Sequence, residues 1–178
     1  MTELGPNPLA AGERNISVDE ARAAIAAALV PVRGTETLPL VQAVGRVLAA
    51  DVVSPIDVPA HDNSAMDGYA FAGAQLRADA PLLLRSVATV FAGAPYTGTV
   101  GAGQCVRIMT GAVMPAGLDT VVPLELCKAE GEQVRIEPGV IKPGENRRKR
   151  GEDLAAGKPA LRAGRVLRPA DLGLVASL

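Results

Sequence analysis

Three short polar clusters contain the side chains of this chain that could carry out chemistry. The first is a loop over residues 61–69, HDNSAMDGY, in which Asp62 and Asp67 lie five positions apart with Asn63 and Ser64 between them. Two loop carboxylates at this spacing could hold a hydrated divalent cation or position a water molecule. Asp, Asn, Ser and Gly are also the usual turn formers, so turn chemistry explains the same residues without any function.

The second cluster is the end of a strand-like run, RIMTGA, over residues 107–112. Because glycine lets a ligand approach the backbone closely, the Thr110 hydroxyl and the N–H groups beside Gly111 could bind an anion. A strand that simply ends in a glycine turn is the alternative.

The third cluster is a basic segment over residues 144–153, GENRRKRGED, with four consecutive cations at 147–150. These cations could bind phosphate or carboxylate, and Asp153 just beyond them could ligate a metal. A solvated run of charges is the more common explanation of such a segment.

The composition excludes several classes of protein. The 178 residues include 18 Lys and Arg against 19 Asp and Glu, for a net charge of −1, and only 2% are aromatic. A nucleic-acid binder would show a basic face or a stacking platform, and a membrane span needs an apolar run of about 20 residues. Cys105 and Cys127 form no CxxC pair and His61 is the single histidine, which argues against a structural zinc site and favours free thiols. The first residues show no secretory pattern, so the predicted location is the cytoplasm.

A helical flank and a series of short strands would position the three clusters. A capping box at Ser17 and Glu20 predicts a helix that Pro31 stops, and a second helix is predicted from Pro39 or Leu40 to Leu48. Short apolar runs between residues 82 and 136, separated by glycine-rich turns, predict a small barrel or sandwich. Residues 163–167, AGRVL, read as a further strand, and a helix is predicted to begin at Pro169.

The composition of the first residues and the pattern of the last ones lead to two further predictions. Residues 1–15 contain Gly and Pro without periodicity and are predicted to be a mobile tail. The last predicted helix keeps its apolar face up to Leu178 without a cap, so we expect the chain to be a fragment of a longer protein.

Taken together and in this order, these stretches resemble the N-terminal half of the bacterial molybdopterin molybdenumtransferase family (MoeA), whose fold also occurs as the E domain of gephyrin. The stretches that carry the resemblance are LPLVQAVGRVLAADVVSPIDVP, DNSAMDGYA, FAGAPYTG, RIMTGAVMPAG, GENRRKRGEDL and LRPADLGLVASL. The resemblance implies an α+β, mostly β fold. Residues 16–54 and 154–178 would form a discontinuous, elongated helical and β dimerisation domain, and residues 55–153 an inserted β-barrel-like domain. It also implies that a pterin-binding α/β domain, supplied in cis or in trans, is expected after residue 178.

The family reaction inserts molybdate into adenylylated molybdopterin, with Mg²⁺, and releases AMP. The resemblance implies that Asp67, Thr110 and Asp153 are catalytic, with Mg²⁺ held by Asp67 and Asp153. It implies a substrate-binding role for Asp62, Asn63, Ser64, Gly111, Arg147, Arg148 and Arg150.

The resemblance further implies a homodimer, with a molybdopterin adenylyltransferase as another candidate partner. Because the pterin-binding domain would be missing, the 178-residue chain alone is expected to be inactive. The alternative function is a non-catalytic scaffold or binding module on the same fold.

Overall fold

Ten short strands and two α-helices make up the described part of the chain, residues 16–178 of a computed structural model. The predicted tail at residues 1–15 lies outside the described residues. In chain order the elements are α1 (Val18–Ala28), β1 (Val52–Val53), β2 (Asn63–Ser64), β3 (Gly68–Phe71), β4 (Leu82–Val90), β5 (Gln104–Ile108), β6 (Thr120–Pro123), β7 (Cys127–Glu130), β8 (Gln133–Ile136), β9 (Arg147–Arg148), β10 (Pro159–Leu161) and α2 (Pro169–Ala176). The chain divides into two compact units, one ending at Pro39 and the other spanning Leu40–Leu178.

The first unit contains α1, which begins with the predicted capping box. Glu20 N donates to Ser17 Oγ at 3.2 Å, and Ser17 N donates to Glu20 Oε2 at 2.8 Å. These two bonds satisfy N–H groups that have no partner inside the helix. No residue of α1 is buried, and Val18 and Ile25 are 66% and 61% exposed. The predicted helix is confirmed, and its apolar side chains are open to solvent.

The second unit is built on a six-stranded sheet with the strand order β6-β3-β5-β4-β8-β7. All neighbours are antiparallel except β4 and β5, which run parallel. The chain is mostly β with few helices, as predicted, and the sheet curls into half of a barrel.

Both faces of the sheet are buried. On β5, Cys105 belongs to one apolar cluster while Val106 and Ile108 belong to the cluster on the other face, as the alternation of a strand requires. Tyr69 and Phe71 on β3 join the Cys105 face. Burial on both sides explains why these strands appear in the sequence as continuous apolar runs.

The outer edge of β6 is covered by the start of the basic segment. Val121 N donates to Glu145 O at 3.1 Å, and Asn146 Nδ2 donates to Val121 O at 2.9 Å. Gly144 N donates to the buried Thr120 hydroxyl at 2.9 Å. These bonds pair the edge of the sheet with the chain that leads into the third polar cluster.

Residues 45–58 and 154–167 run antiparallel beside each other and form a flanking ladder. In it β1 pairs with β10, Val47 bridges Val166, and Val58 N donates to Leu154 O at 2.7 Å. Helix α2 follows, with Pro169 in its first turn and Arg168 N donating to Asp171 Oδ2 at 2.9 Å. The helix predicted at Pro169 is therefore confirmed, whereas the domain boundaries at 54/55 and 153/154 stay a prediction.

The helix predicted for residues 40–48 is wrong, because only Leu40–Gln42 forms a short 3₁₀ turn. Gly45 takes a φ of +78° and its N–H donates to Leu167 O at 2.8 Å, so the backbone pairs with the flanking ladder and leaves the helical path. The strand predicted at residues 163–167 is reduced to the single bridge at Val166, and the strand lies at β10 instead.

Within residues 16–178, no helix combines the length and the hydropathy that crossing a membrane requires.

Candidate functional site

Asp67 and Thr110 meet at one end of the sheet. Asp67 immediately precedes β3 and Thr110 follows β5, and these two strands are antiparallel neighbours, so the two residues lie at the same end. Asp67 Oδ1 accepts hydrogen bonds from both Thr110 N and Thr110 Oγ1, each at 2.7 Å. The structure thus brings the first and second predicted clusters into direct contact.

Gly68 lets β3 lie close to β6 beside this contact. A Cβ atom at position 68 would stand 2.1 Å from the backbone oxygen of Val122. The glycine that follows Asp67 is therefore required by the close approach of two strands.

The neighbours of Asp67 stabilise the charged form of its carboxyl group. Its pKa is lowered, first by the backbone hydrogen bond from Thr110, then by the Thr110 hydroxyl, and further by the positive charge of Arg107. Asp67 is consequently an anion at neutral pH. Among the described residues no donor reaches its second oxygen, Oδ2, which is available to a ligand.

The backbone donors that were predicted to bind an anion at Thr110 and Gly111 are already engaged. Thr110 N donates to Asp67, and Gly111 N donates to Ser64 O at 2.8 Å. The Thr110 hydroxyl proton also points to Asp67. In this arrangement Thr110 positions the carboxylate, and a bound anion requires a donor from elsewhere.

Ser64 acts as a turn former in the first cluster. Its buried Oγ donates to Met66 O at 2.6 Å and accepts from Met66 N at 3.2 Å, and Ser64 N donates to Ala112 O at 3.0 Å. The hydroxyl fixes the path of residues 64–66, and the backbone ties that loop to the turn after Thr110. This part of the first cluster follows the turn interpretation of the sequence.

The third cluster joins the other two through the pairing of β2 with β9. Asn63 lies opposite Arg148, and Ser64 opposite Arg147. Asp62 supports this pairing, because its Oδ1 accepts from Arg150 N at 2.8 Å and its Oδ2 lies 3.6 Å from Arg147 Nη1. Two side-chain atoms of this pair of strands, Asn63 Oδ1 and Arg147 Nε, are buried without a hydrogen-bond partner.

Most charges of the basic run are balanced by carboxylates. Arg148 binds Glu152 Oε1 through Nε at 2.6 Å and Asp153 Oδ2 through Nη2. Arg150 Nε donates to Asp57 Oδ2 at 2.6 Å. Exposed pairs of this kind add little stability, but they cancel much of the positive potential that the run of cations predicts.

Two residues near the site, Asp57 and Arg107, were not predicted to have a role. Asp57 binds both Ala156 N, at 2.8 Å, and Arg150, and these bonds lower its pKa. Arg107 lies within the quoted RIMTGA stretch and acts on the charge of Asp67. Neither contact is visible in the sequence, since Asp57 and Arg150 are 93 positions apart.

Asp67 and Asp153, the predicted magnesium ligands, differ in what their carboxylates contact. In the described part of the chain, no three or more His, Cys, Asp or Glu side chains come together as a metal site. The Asp153 carboxylate is held by Arg148, while Asp67 keeps one oxygen without a protein donor. Because Mg²⁺ is commonly held by one or two carboxylates together with substrate phosphates and water, Asp67 fits such an ion and a closed protein cage does not form.

The two cysteines are free thiols, as predicted. Burial raises the pKa of Cys105 to about 12 and also raises the pKa of Cys127. Thiols in this state are poor nucleophiles, so neither belongs to the candidate site.

A family model and individual relatives both place this chain in the same protein family. A family described as the MoeA N-terminal region (domain I and II) matches residues 16–178. A molybdopterin molybdenumtransferase of Haemophilus influenzae is 38% identical over 163 residues, covering 92% of this chain and 40% of that protein. Molybdopterin molybdenumtransferase 2 of Mycobacterium tuberculosis is 40% identical over 145 residues, covering 80% of this chain and 36% of that protein. This chain therefore spans about two fifths of the length of the curated relatives it matches.

A solved structure shows the same fold. The molybdopterin biosynthesis MoeA protein of Pyrococcus horikoshii OT3 aligns with a TM-score of 0.71 at 36% sequence identity. The alignment covers 80% of this chain and 38% of that one.

Proposed function

The chain belongs to the family of MoeA N-terminal regions, and on that premise we propose that it supplies the Asp67–Thr110 site of a molybdopterin molybdenumtransferase. In this proposal the whole enzyme inserts molybdate into adenylylated molybdopterin and releases AMP. The relatives' names support a role in molybdenum cofactor biosynthesis.

The observation that carries the proposal is the double hydrogen bond between Thr110 and Asp67. Breaking the phosphoanhydride of an adenylylated substrate requires groups that hold the phosphate and a positive charge that spreads the developing negative charge. Thr110 fixes one oxygen of Asp67 and so orients the other towards solvent and substrate. Mg²⁺ bound there would withdraw charge from the phosphate oxygens.

Asp153 enters the proposal through Arg148. The Arg148 guanidinium bridges Asp153 and Glu152, and β9, which contains Arg148, is paired to the first cluster through β2. We assign Asp153 to the wall of the cleft, where it and Arg148 hold the basic segment beside the loop that carries Asp67.

The proposal includes the rest of the enzyme and a second copy of the chain. The pterin would be bound by a domain outside these 178 residues, and the chain alone would be inactive. A homodimer is supported by α1 and its C-cap Leu29, because Val18, Ile25 and Leu29 are all more than 60% exposed. The inserted domain at residues 55–153 would be barrel-like around the curled sheet.

The test of this function uses a fusion of the 178-residue chain to the part of the Haemophilus influenzae relative that lies beyond the matched region. AMP release and molybdenum insertion are measured with adenylylated molybdopterin and molybdate. Asp67→Asn should lower turnover about a hundredfold, because it removes the negative charge of the carboxylate that would hold Mg²⁺ beside the phosphate. Asp79→Asn is the matched control, since Asp79 is an exposed carboxylate with no partner among the described residues. If Asp67→Asn and Thr110→Val both kept turnover within twofold of the unsubstituted fusion, the scaffold alternative would replace the catalytic one.

A further inference from the structure

Arg107 is a half-buried arginine without a carboxylate partner. Three arginines among residues 16–178 are half-buried, namely Arg107, Arg147 and Arg148. Arg147 faces Asp62, and Arg148 binds Glu152 and Asp153. No carboxylate of the described chain lies within ion-pair distance of Arg107, so its guanidinium keeps its five N–H donors for another ligand.

The strand register places Arg107 beside Asp67. Arg107 on β5 lies directly opposite Tyr69 on β3, and Asp67 is two positions before Tyr69. Side chains alternate along a strand, so Asp67 and Arg107 are on the same face as diagonal neighbours, whose Cα atoms are typically about 7–8 Å apart and whose longer side chains can reach the same ligand. No ion pair joins the two side chains, since the hydrogen bonds to the Asp67 carboxylate come from Thr110, so the carboxylate and the guanidinium can both face a ligand at this end of the sheet. The charge of Arg107 nevertheless lowers the pKa of Asp67.

The neighbours of Arg107 on its face of the sheet are apolar, which disfavours burial of its charged end. On its face of the sheet, Tyr69 is 5% exposed and Cys105 is fully buried, and both belong to one apolar cluster. An arginine at the end of such a cluster packs its aliphatic stem against apolar neighbours and leaves the guanidinium at the open rim. The rim in this case is the end of the sheet that carries Asp67 and Thr110.

The donors around Asp67 that might otherwise bind an anion are occupied. Thr110 N and Thr110 Oγ1 donate to Asp67, and Gly111 N donates to Ser64 O. A negatively charged substrate group near the Asp67 carboxylate requires a compensating positive charge, and Arg107 is the cation whose charge acts on Asp67.

We propose that Arg107 binds a tetrahedral oxyanion at the Asp67–Thr110 site, as a substrate-binding residue in addition to the basic run at 147–150. The oxyanion is either the phosphate of the adenylylated substrate or molybdate, both of which offer the oxygen atoms that a guanidinium fork binds. The identity of the substrate rests on the proposed function, whereas oxyanion binding by Arg107 does not.

The experiment is an NMR titration of the ¹⁵N-labelled 178-residue chain with pyrophosphate and, separately, with molybdate. Arg107→Gln should weaken binding about tenfold or more, and Arg107→Lys should lose less because it keeps the charge but not the fork. Arg85→Gln is the matched control, because Arg85 is an exposed arginine without an ion pair in the described residues, on the neighbouring strand β4. Its affinity should stay within twofold, and unchanged amide spectra away from the site will show that each variant is folded.

The titration shows whether Arg107 binds phosphate or molybdate. It also tests oxyanion binding independently of the proposed catalytic role of Asp67. Arg107-dependent binding of pyrophosphate alone assigns the residue to the phosphate, and binding of molybdate alone assigns it to the metal substrate. The inference is overturned if the unsubstituted chain binds neither anion at millimolar concentration, or if Arg107→Gln and Arg85→Gln behave alike. Because this titration needs no turnover, oxyanion binding by Arg107 can persist even if the fusion shows no dependence on Asp67.

Discussion

Asp67 Oδ1 accepts two hydrogen bonds from a single residue, Thr110, one from its backbone N–H and one from its hydroxyl, each 2.7 Å long. The two residues are 43 positions apart and belong to loops at the ends of adjacent strands. The contact therefore joins two polar clusters of the sequence and leaves one carboxylate oxygen for a ligand.

Thr110→Val should raise the pKa of Asp67 towards its ordinary value of 3.8, because it removes the hydroxyl donor that favours the charged form. The carboxyl ¹³C shift of Asp67 measured against pH reports this change. Thr99→Val, at an exposed loop threonine, is the control and should leave the midpoint unchanged.

The same substitution should change how stability depends on pH. A carboxyl whose pKa is lower in the folded chain stabilises the fold above its unfolded pKa and loses that contribution as the pH falls through the folded value. The difference in unfolding free energy between the unsubstituted chain and Thr110→Val should therefore be constant above about pH 5 and shrink below about pH 4. Urea denaturation across this range measures it, and a difference that grows as the pH falls would contradict the assignment.

Gly68→Ala should destabilise the chain by about 2 kcal/mol or more, because the added Cβ meets the Val122 backbone oxygen and neither strand can move aside easily. Gly173→Ala in α2 is the matched control, since a Cβ there has no neighbour within 4 Å and φ is not positive. It should be neutral or stabilise by about 0.5–1 kcal/mol. Equal urea midpoints for the two variants would show that β3 and β6 are not as close as described.

Asp62→Ala should loosen the basic segment, because the carboxylate accepts from Arg150 N at 2.8 Å. Amide hydrogen exchange at Arg150 should become at least several-fold faster. Asp79→Ala removes an exposed carboxylate outside the basic segment, so it should leave the Arg150 rate unchanged. A rate that is insensitive to Asp62 would mean that other contacts hold the segment.

The proposed homodimer predicts a sedimenting species of twice the 18.2 kDa chain mass at micromolar concentration. Ile25→Glu should shift it to the monomer, because it places a charge within the exposed apolar residues of α1. Ala27→Glu, on the opposite side of the helix, is the control and should leave the dimer intact. A monomer across the whole concentration range would remove the proposal.

The sequence predicted those elements whose signals are local. The capping box of α1 and the apolar runs of β4, β5 and β8 all appear in the structure, because caps and buried strands are encoded by neighbouring residues. The helix predicted at 40–48 failed because Gly45 and the pairing with Leu167, more than a hundred positions away, override the local apolar spacing.

In the candidate site too, local features were predictable from the sequence and contacts between distant segments were not. Ser64 fulfils the turn role that its type suggests, whereas the Asp67–Thr110 contact depends on strand order. The pairing of Arg150 with Asp57, and the lack of a carboxylate beside Arg107, are set by which distant segments the sheet brings together. The spacing of residues along the chain predicts neither the Arg150–Asp57 pair nor the absence of a carboxylate beside Arg107.

The segment that contains the polar clusters begins and ends at adjacent positions of the flanking ladder. Val58 and Leu154 are joined by a hydrogen bond of 2.7 Å, so everything between them leaves and re-enters the ladder at a single point. The 95 intervening positions, which contain Asp67, Thr110 and Arg107, thus form a cassette with adjacent ends. Because its ends are adjacent, a short Gly-Ser bridge should close this segment into a stand-alone chain, which would lose the bond between Arg150 and Asp57 of the flank.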